Sequence, residues 1–307
     1  MAVTAAMIKE LREMSGAGMT DCKNALVEAD GDIKKAVEIL REKGMAAAVK
    51  KAGRIASEGI CRAYASDCGN YAVIVEVNSE TDFVAKNQEF QTYVDMVAKQ
   101  AIASEAKNMD EFYTEKWIHD NSLTVREALS QKIAVIGENL NIRRFEKYNA
   151  GENSAFIIYI HGGGRIAVLL ELACKDKNDA VVEAGKNICM QIASMSPKFV
   201  GRADVSDEFI EHEREILMQQ AINEGKPEAI ARKMTEGRLS KELKEFCLLE
   251  QEYVKDSEIT VKKYIETVEK DIGISITVKR FARYETGEGL EKKEEDFAEE
   301  VNKMMNK

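Results

Sequence analysis

The side chains that most often carry out catalysis are few in this sequence and form no catalytic pattern. The three histidines, His119, His161 and His212, are far apart in the chain, and no motif pairs any of them with a nucleophile. We interpret each as an ordinary surface histidine. His161 begins "HGGGR", a tight turn that could present a side chain to a partner, although turn formation alone explains the glycines. The sequence therefore predicts that the chain is not an enzyme.

The cysteines and glycine-rich segments also lack the spacing of known ligand sites. The six cysteines contain no Cys-x-x-Cys pair and do not alternate with histidine at zinc-ligand spacing. We predict reduced thiols, most of them in the core. "GAGMTD" lacks the spacing of a phosphate-binding loop, and "HGGGRIAV" lies between predicted strands instead of opening a helix. No metal, nucleotide or other cofactor is predicted.

One aromatic residue occupies a position that folding alone does not explain. Phe83 lies in "NSETDFVAKN", which joins an apolar strand to a helix, whereas a second strand-to-helix connection, "ACKDKNDAVVEA", contains neither an Asp-Phe pair nor an aromatic residue. The architecture therefore does not require Phe83. Either the ring folds back as a hydrophobic staple over its own helix near Thr81, or it is exposed as a wedge for a partner. We favour the wedge.

Length and composition predict a globular chain of two or three modules. The 307 residues are 45% hydrophobic and 32% charged, which is enough to bury more than one core. The net charge of -10 repels nucleic acid and anionic lipid, so no direct nucleic-acid partner is expected. No apolar run approaches the roughly 18 residues of a membrane span, and no signal segment is recognisable. We therefore expect a cytoplasmic protein with no membrane partner.

Hydrophobic periodicity predicts short helices at the N-terminus. Apolar residues recur at helical spacing through residues 4–44, with breaks at "SGAGMT" and "ADGD" that divide the segment into three helices. Gly44 suits the position just past the last helix. The next segment, "MAAAVKKAGRIASEG", lacks bulky core residues and is predicted to be a linker.

The middle of the chain contains a repeated pattern. "EGICRAYASDCGNYAVIVEVN" and "NSAFIIYIHGGGRIAVLLELA" each read as a β-hairpin followed by a helix. "IRRFEKYNAGEN" and "VKRFARYETGEG" are a second matching pair, each a strand ending in a turn that contains glycine. Two related α+β subdomains with antiparallel sheets are the simplest explanation.

The second half is interrupted by a helical insertion. Apolar residues at three- and four-residue steps, with one break at "NEGKP", predict an antiparallel helical hairpin, and another such pattern predicts a helix near the C-terminus. The fold class is thus α+β. The predicted modules are a three-helix UBA-like bundle with its linker (1–54), a first core subdomain (55–140), a second core subdomain (141–205 and 250–285), the inserted hairpin (206–249) and a C-terminal helical module (286–307).

These segments resemble the bacterial elongation factor Ts family in order and spacing over essentially the whole chain. The matching segments are "KELREMSGAGMTDCKNALVEADGDIKKAVEILREKG", "TDFVAKN", "IGENLNIRRF", "HGGGRIAVLLEL", "EGRLSKELKEFCLLEQ" and "RFARYETGEGLEKKEEDFAEEV". The sequence departs from the family pattern at Ser79, where cysteine is usual, and at Glu252, where many members have proline.

The resemblance implies a guanine nucleotide exchange factor that binds elongation factor Tu carrying GDP, or free of nucleotide, and promotes GDP release and GTP loading. It implies that a turn formed by Thr81, Asp82, Phe83 and Val84 enters beside the switch region of the GTPase and disturbs the coordination of Mg²⁺. Secondary contacts are expected from Leu11, Met19 and His161.

Two other functions remain open from the sequence. The chain could be an adaptor whose N-terminal bundle binds a helical or peptide partner, or, as a more distant alternative, a thiol enzyme. The helical hairpin could also mediate homodimerisation, although its periodicity fits intramolecular packing equally well.

Overall fold

The computed structural model describes residues 3–291 and confirms the α+β class with antiparallel sheets. Most of the predicted C-terminal helical module (286–307) extends past residue 291 and lies outside the described residues. Across residues 3–291, no helix has both the length and the hydrophobicity that crossing a lipid bilayer requires.

The N-terminal bundle consists of three helices, as predicted: α1 (Ala5–Ser15), α2 (Met19–Glu28) and α3 (Ile33–Lys51). The Thr4 side chain accepts a hydrogen bond from the Met7 N–H at the start of α1, and the Asp32 carboxylate caps α3 in the same way. The helices bury a core of small and apolar side chains: Leu11, Cys22, Ala25, Leu26, Ala29 and Ala36.

The first core subdomain is a three-stranded antiparallel sheet with helices on one face. Its elements in chain order are β1 (Glu58–Ala65), β2 (Tyr71–Ser79), α4 (Asp82–Ala85), α5 (Gln88–Ala103), α6 (Met109–Thr114), β3 (Lys116–Trp117), β4 (Asp120–Thr124), α7 (Val125–Ile136) and β5 (Asn141–Asn149). The sheet order is β1-β2-β5, and β3 and β4 form a separate short ribbon. A capping box of Thr124 and Glu127 opens α7.

The second core subdomain repeats this topology and contains the insertion. Its elements are β6 (Ser154–His161), β7 (Ile166–Ala173), α8 (Asp179–Met195), α9 (Asp207–Asn223), α10 (Glu228–Phe246), β8 (Glu252–Tyr253), β9 (Asp256–Thr260), α11 (Val261–Ile272) and β10 (Thr277–Glu285). The sheet order is β6-β7-β10, which matches β1-β2-β5. α9 and α10 form the predicted hairpin, joined by an ion pair of 2.8 Å between Arg214 and Glu236.

Strand β5 corrects the predicted boundary between the core subdomains at residue 140. It pairs with β2 from Asn149 opposite Tyr71 to Asn141 opposite Asn78, so the first subdomain extends to residue 149. The physical reason is that β5 and β10 are the equivalent third strands of the two repeats, and each completes the sheet of its own repeat. Local sequence shows that a strand is present but does not identify its partner.

Helix α3 corrects the interpretation of Gly44 and of the linker. α3 continues to Lys51, through the first seven of the fifteen residues predicted as a linker, and Gly44 lies inside it. A Cβ placed on Gly44 would lie 3.6 Å from the Ala134 Cβ of α7. Glycine and alanine allow the two helices to approach closely, so the small residues reflect helix packing and not a helix end or flexibility.

The two sheets pack face to face, with helices covering their outer faces. In β2, Val73 and Val75 belong to the core shared with α5, whereas Ala72 and Ile74 contact the second sheet. Because successive side chains in a strand point to opposite faces, burial on both faces explains the continuous apolar run "AVIVEV".

Two equivalent sets of side chains join the sheets, each with a buried glutamate, an arginine and a tyrosine: Glu76, Arg144 and Tyr284, and Glu171, Arg280 and Tyr148. In the first set the Arg144 Nε lies 2.6 Å from the Glu76 carboxylate, and its guanidinium stacks 4.1 Å from the Tyr284 ring centroid. In the second set the Arg280 Nε lies 2.7 Å from the Glu171 carboxylate, and the Arg280 guanidinium stacks 3.9 Å from the Tyr148 ring centroid. Each arginine thus pairs within its own repeat and stacks on a tyrosine of the other.

Candidate partner-binding site

A single helical turn, α4, presents the residues singled out in the sequence. Thr81 precedes it in an extended conformation, and its Oγ1 accepts a hydrogen bond of 3.3 Å from the Val84 N–H. This cap satisfies a backbone donor at the helix start. Ala85 is buried, and the half-buried Val84 packs against the core of the first subdomain. The turn is therefore attached to the core on one side only.

Phe83 lies on the other side of α4, with its side chain in solvent. Its exposed fraction is 80%, the largest among the exposed large hydrophobic residues of the described chain. A ring folded over its own helix would be mostly covered, so the staple interpretation is wrong. The fold holds an apolar ring in water at a position where core packing does not require it.

Glu138, in the loop after α7, holds the base of this turn. Its carboxylate accepts hydrogen bonds of 3.1 Å from the N–H groups of Glu80 and Thr81, and one of 2.6 Å from the Thr81 hydroxyl. In return, the Glu80 carboxylate accepts a 2.6 Å bond from the Asn139 N–H. Glu138 could not be predicted from the sequence, because it lies 57 residues from Thr81 and no local spacing connects the two.

Asp82 is exposed beside Phe83 and pairs with a residue on the same turn. The Lys86 Nζ lies 2.6 Å from its carboxylate, and this hydrogen bond lowers the pKa of Asp82. Asp82 is therefore an ionised acceptor at neutral pH. The i to i+4 spacing of Asp82 and Lys86 is readable in the sequence and could have indicated the pair.

The glycine turn after β6 lies next to α4. Gly162, Gly163 and Gly164 all have positive φ, and a Cβ on Gly164 would come within 3.0 Å of the Ile60 Cβ. Asp82 of α4 and Gly162 and Gly163 of the turn line one cavity of about 390 Å³. His161, which precedes the glycines, is exposed, and its Nδ1 lies 3.0 Å from the Tyr159 hydroxyl. The α4 turn and the glycine turn thus border the same cavity.

The two bundle residues differ in accessibility. Leu11 is fully buried in the bundle core, so its side chain is not available for direct contact with a partner, which corrects that expectation. The apolar positions of α1 face the other two helices, and sequence periodicity alone does not separate core from contact positions. Met19 is half exposed, as are Met14 and Val27, so these three residues give the bundle an apolar surface.

Among the residues that the structure describes, the remaining reactive side chains do not assemble into a reaction centre. All six cysteines are free, and only Cys68 is exposed. Burial raises the pKa of Cys61 to about 12 and also raises that of Cys189, which makes both poor nucleophiles. Within residues 3–291, no group of three or more His, Cys, Asp and Glu side chains could hold a metal ion.

Comparison with known proteins gives consistent matches. The family model described as "Elongation factor TS" matches residues 80–288. The chain is 53% identical over 304 residues to elongation factor Ts of Clostridium novyi, covering 99% of each chain. It is 52% identical over 303 residues to that of Clostridium kluyveri, again covering 99% of each. Identity to that of Clostridium botulinum is 51% over 305 residues, covering 99% of this chain and 100% of the relative.

Proposed function

The chain belongs to the elongation factor Ts family of nucleotide exchange factors for elongation factor Tu, and we propose that it acts through the exposed α4 turn. As an exchange factor in protein biosynthesis, it does not catalyse the making or breaking of bonds. We place its action in the cytoplasm, where translation occurs. The observation that carries the proposed mechanism is the exposed Phe83 ring on a turn held by Thr81 and Glu138.

Burial of the Phe83 ring supplies energy for distorting the GTPase. A phenylalanine that loses about 150 Å² of exposed surface gains up to roughly 4 kcal/mol at ~25 cal/mol per Å², before the costs of association. The ring inserts beside the switch region of elongation factor Tu and displaces packed side chains there. The hydrogen bonds of Glu138 keep the turn in place, so less of this energy is spent on ordering it.

Asp82 and the magnesium ion of the GTPase provide the link to nucleotide release. The ionised Asp82 competes for hydrogen-bond donors that the switch region otherwise uses. Mg²⁺ requires near-ideal octahedral geometry with oxygen ligands, so a displaced switch region weakens its coordination. GDP then loses contacts that the metal mediates and dissociates faster.

Thermodynamic linkage requires a large additional contact area. If the factor weakens GDP binding by some ratio, GDP weakens binding of the factor by the same ratio, so tight binding to nucleotide-free elongation factor Tu is necessary. We propose that the UBA-like bundle contributes through Met19, together with the exposed Met14 and Val27, and that His161 contacts a more distant domain. Leu11 supports this surface from inside the bundle.

The direct test is release of a fluorescent GDP from the cognate elongation factor Tu, followed by stopped flow with excess unlabelled GDP. Acceleration that rises with factor concentration and saturates is the expected result. No acceleration, with an elongation factor Tu preparation that binds GDP normally, would overturn the proposed function.

Replacing Glu138 with alanine is expected to slow GDP release about tenfold, equivalent to about 1.4 kcal/mol. The substitution removes the acceptor for three hydrogen bonds at the base of α4, so the turn becomes less ordered while Phe83 is retained. The measurement is the rate of release at saturating factor, together with the affinity for nucleotide-free elongation factor Tu.

The matched control for this variant is Glu138→Gln, which keeps one oxygen acceptor and should have an intermediate rate. Equal rates for the wild-type chain and both variants would show that Glu138 does not position the turn. A loss of affinity with an unchanged saturating rate would assign Glu138 to docking instead.

The adaptor alternative requires a different partner. Retention of elongation factor Tu as the dominant captured protein, released by added GDP, is the result expected for an exchange factor. Capture of another protein through the bundle, insensitive to nucleotide, would favour the adaptor.

Homodimerisation through the helical hairpin remains a prediction. Ile216, Ile222 and Ile230 are exposed on α9 and α10 and could form an apolar contact between copies. Sedimentation equilibrium of the wild-type chain and of an Ile222→Ser/Ile230→Ser variant would check it. A wild-type monomer at all concentrations would exclude this contact.

A further inference from the structure

The two Glu-Arg sets that join the sheets differ in what surrounds their basic residues. In the first repeat, Arg143 and Arg144 are consecutive residues at a β-bulge opposite Glu76. Lys279 and Arg280 occupy the equivalent bulge of β10, opposite Glu171. A bulge places two residues of one strand against one of its neighbour, so each repeat has two adjacent basic residues beside one buried carboxylate. Both arginines contact Glu76 in the first repeat, whereas in the second repeat Arg280 is the member of the pair that contacts Glu171.

In the first repeat a second carboxylate, that of Glu288, completes the arrangement. Its Oε2 lies 3.3 Å from the Arg144 guanidinium and its Oε1 lies 3.6 Å from that of Arg283. Arg143 also donates a 2.7 Å hydrogen bond to the Glu288 backbone carbonyl. In the first repeat, one glutamate therefore contacts both basic residues, Arg144 through its carboxylate and Arg143 through its backbone carbonyl.

In the second repeat the corresponding space is a cavity of about 670 Å³, lined by Lys175, Lys279, Arg280 and Glu152 among others. Glu152 is the sequence equivalent of Glu288, but it is exposed and forms no ion pair among the described residues. Gly287 has a φ of 72°, whereas Gly151, its equivalent, is not in the left-handed region. The backbone difference explains why Glu152 does not follow the path of Glu288.

The charges around the cavity favour an anion. Arg280 is paired with Glu171, but Lys175 and Lys279 are exposed and form no ion pair within residues 3–291. Glu152 offsets one of these two positive charges. The ordinary interpretation is that both lysines are simply solvated, as most surface lysines are. In the first repeat, however, Glu288 occupies the equivalent position beside the basic pair. This observation argues that the cavity in the second repeat binds a ligand.

We propose that this cavity, where Lys279 and Arg280 at the bulge of β10 face Lys175 after β7, binds the carboxylate of a glutamate in an acidic peptide segment of a partner protein. The site lies at the Ser154 end of β6, and the glycine turn lies at the His161 end. Seven residues of strand separate the two ends by about 23 Å. The site is thus separate from the α4 surface and its ligand does not depend on nucleotide exchange.

The test uses the full chain labelled with ¹⁵N and titrated with N-acetyl-glutamate amide, observed at the amides of Gly151, Asn153 and Ser154. We expect saturable shifts at these amides. N-acetyl-glutamine amide, the neutral control, should bind at least about tenfold more weakly, because its side chain carries no negative charge and cannot form an ion pair with the lysines. Equal binding of the two probes, or binding of inorganic phosphate as tightly as the glutamate probe, would overturn the assignment to a carboxylate site.

Variants separate this site from general surface charge. Lys175→Ala/Lys279→Ala should weaken binding of the glutamate probe at least about tenfold, whereas Lys233→Ala, at an exposed position of α10, should leave it unchanged. Glu152→Gln should tighten binding, because it removes the carboxylate that shares the cavity. Absence of saturable shifts in both the wild-type chain and Glu152→Gln would refute the proposal.

Discussion

Replacing Phe83 with alanine is expected to slow GDP release from elongation factor Tu by about 10- to 100-fold at saturating factor. The ring is 80% exposed in the free chain, so its removal should change the free energy of unfolding by no more than about 0.5 kcal/mol. In the complex, by contrast, the ring exchanges water for protein contact at the point where the switch region is displaced. The effect should therefore appear in the rate of release and not in folding.

Measuring both rate and affinity separates two roles of Phe83, distortion of the GTPase and docking onto it. If the remaining interface supplies most of the affinity, Phe83→Ala should still bind nucleotide-free elongation factor Tu, with a smaller change in affinity than in rate. Phe83→Leu keeps part of the apolar volume and should fall between the alanine variant and the wild-type chain.

Val49→Ala is the matched control, because Val49 is 77% exposed but belongs to α3 and not to the α4 turn. It should release GDP at the wild-type rate. A wild-type rate for Phe83→Ala, with exchange by the unmodified chain established, would keep the function and remove Phe83 from the mechanism.

Replacing Glu76 with glutamine is expected to lower the free energy of unfolding by about 3–5 kcal/mol at pH 7. The Glu76 side chain is completely buried and accepts hydrogen bonds from the Gly287 N–H at 2.8 Å, Arg144 at 2.6 Å and Arg143 at 3.0 Å. Glutamine has nearly the same shape but no charge, so Arg143 and Arg144 lose their ion pairs with Glu76, and Arg144 keeps only its pair with Glu288. Trp117, the single tryptophan, is buried in the first core, and its fluorescence would follow denaturant unfolding of this subdomain.

The same carboxylate predicts how stability depends on pH. Burial raises the pKa of Glu76, but the Gly287 N–H, Asn78 and Arg144 together lower it below its ordinary value of 4.5. Because the pKa is lower in the folded chain than in the unfolded chain, Glu76 stabilises the fold above pH 4.5, and this contribution is lost as the pH falls through the folded-state pKa. Acid should therefore destabilise the wild-type chain more steeply than Glu76→Gln.

Two further variants serve as controls for the effect of Glu76→Gln on stability. Glu171→Gln changes the equivalent residue of the second repeat, whose side chain is 6% exposed, and should also be destabilising. Glu105→Gln changes a carboxylate that is 93% exposed and should have little effect. A Glu76→Gln variant as stable as Glu105→Gln, with the same pH dependence as the wild-type chain, would contradict the role assigned to the buried carboxylate.

Much of the architecture was predictable because it follows from local patterns. Period-two and helical spacing indicate strands and helices, and the repeated "AVIVEV" and "AVLLEL" segments indicated two related halves before any contact was known. Comparison of the two strand-to-helix connections also predicted that Phe83 is not needed for folding. Its exposure confirms that part of the interpretation.

What the sequence by itself determined was the class of each element, the duplication and the unusual position of Phe83, because these depend on residues close together in the chain. Only the tertiary structure decided that β5 completes the first sheet, that Gly44 brings α3 against α7, and that Glu138 holds the turn at Thr81. It also decided that Glu76 binds the N–H of Gly287, 211 residues away. Such contacts form only when the helices and strands pack together. A buried carboxylate is stable wherever this packing supplies hydrogen-bond donors, and local sequence does not show where that is.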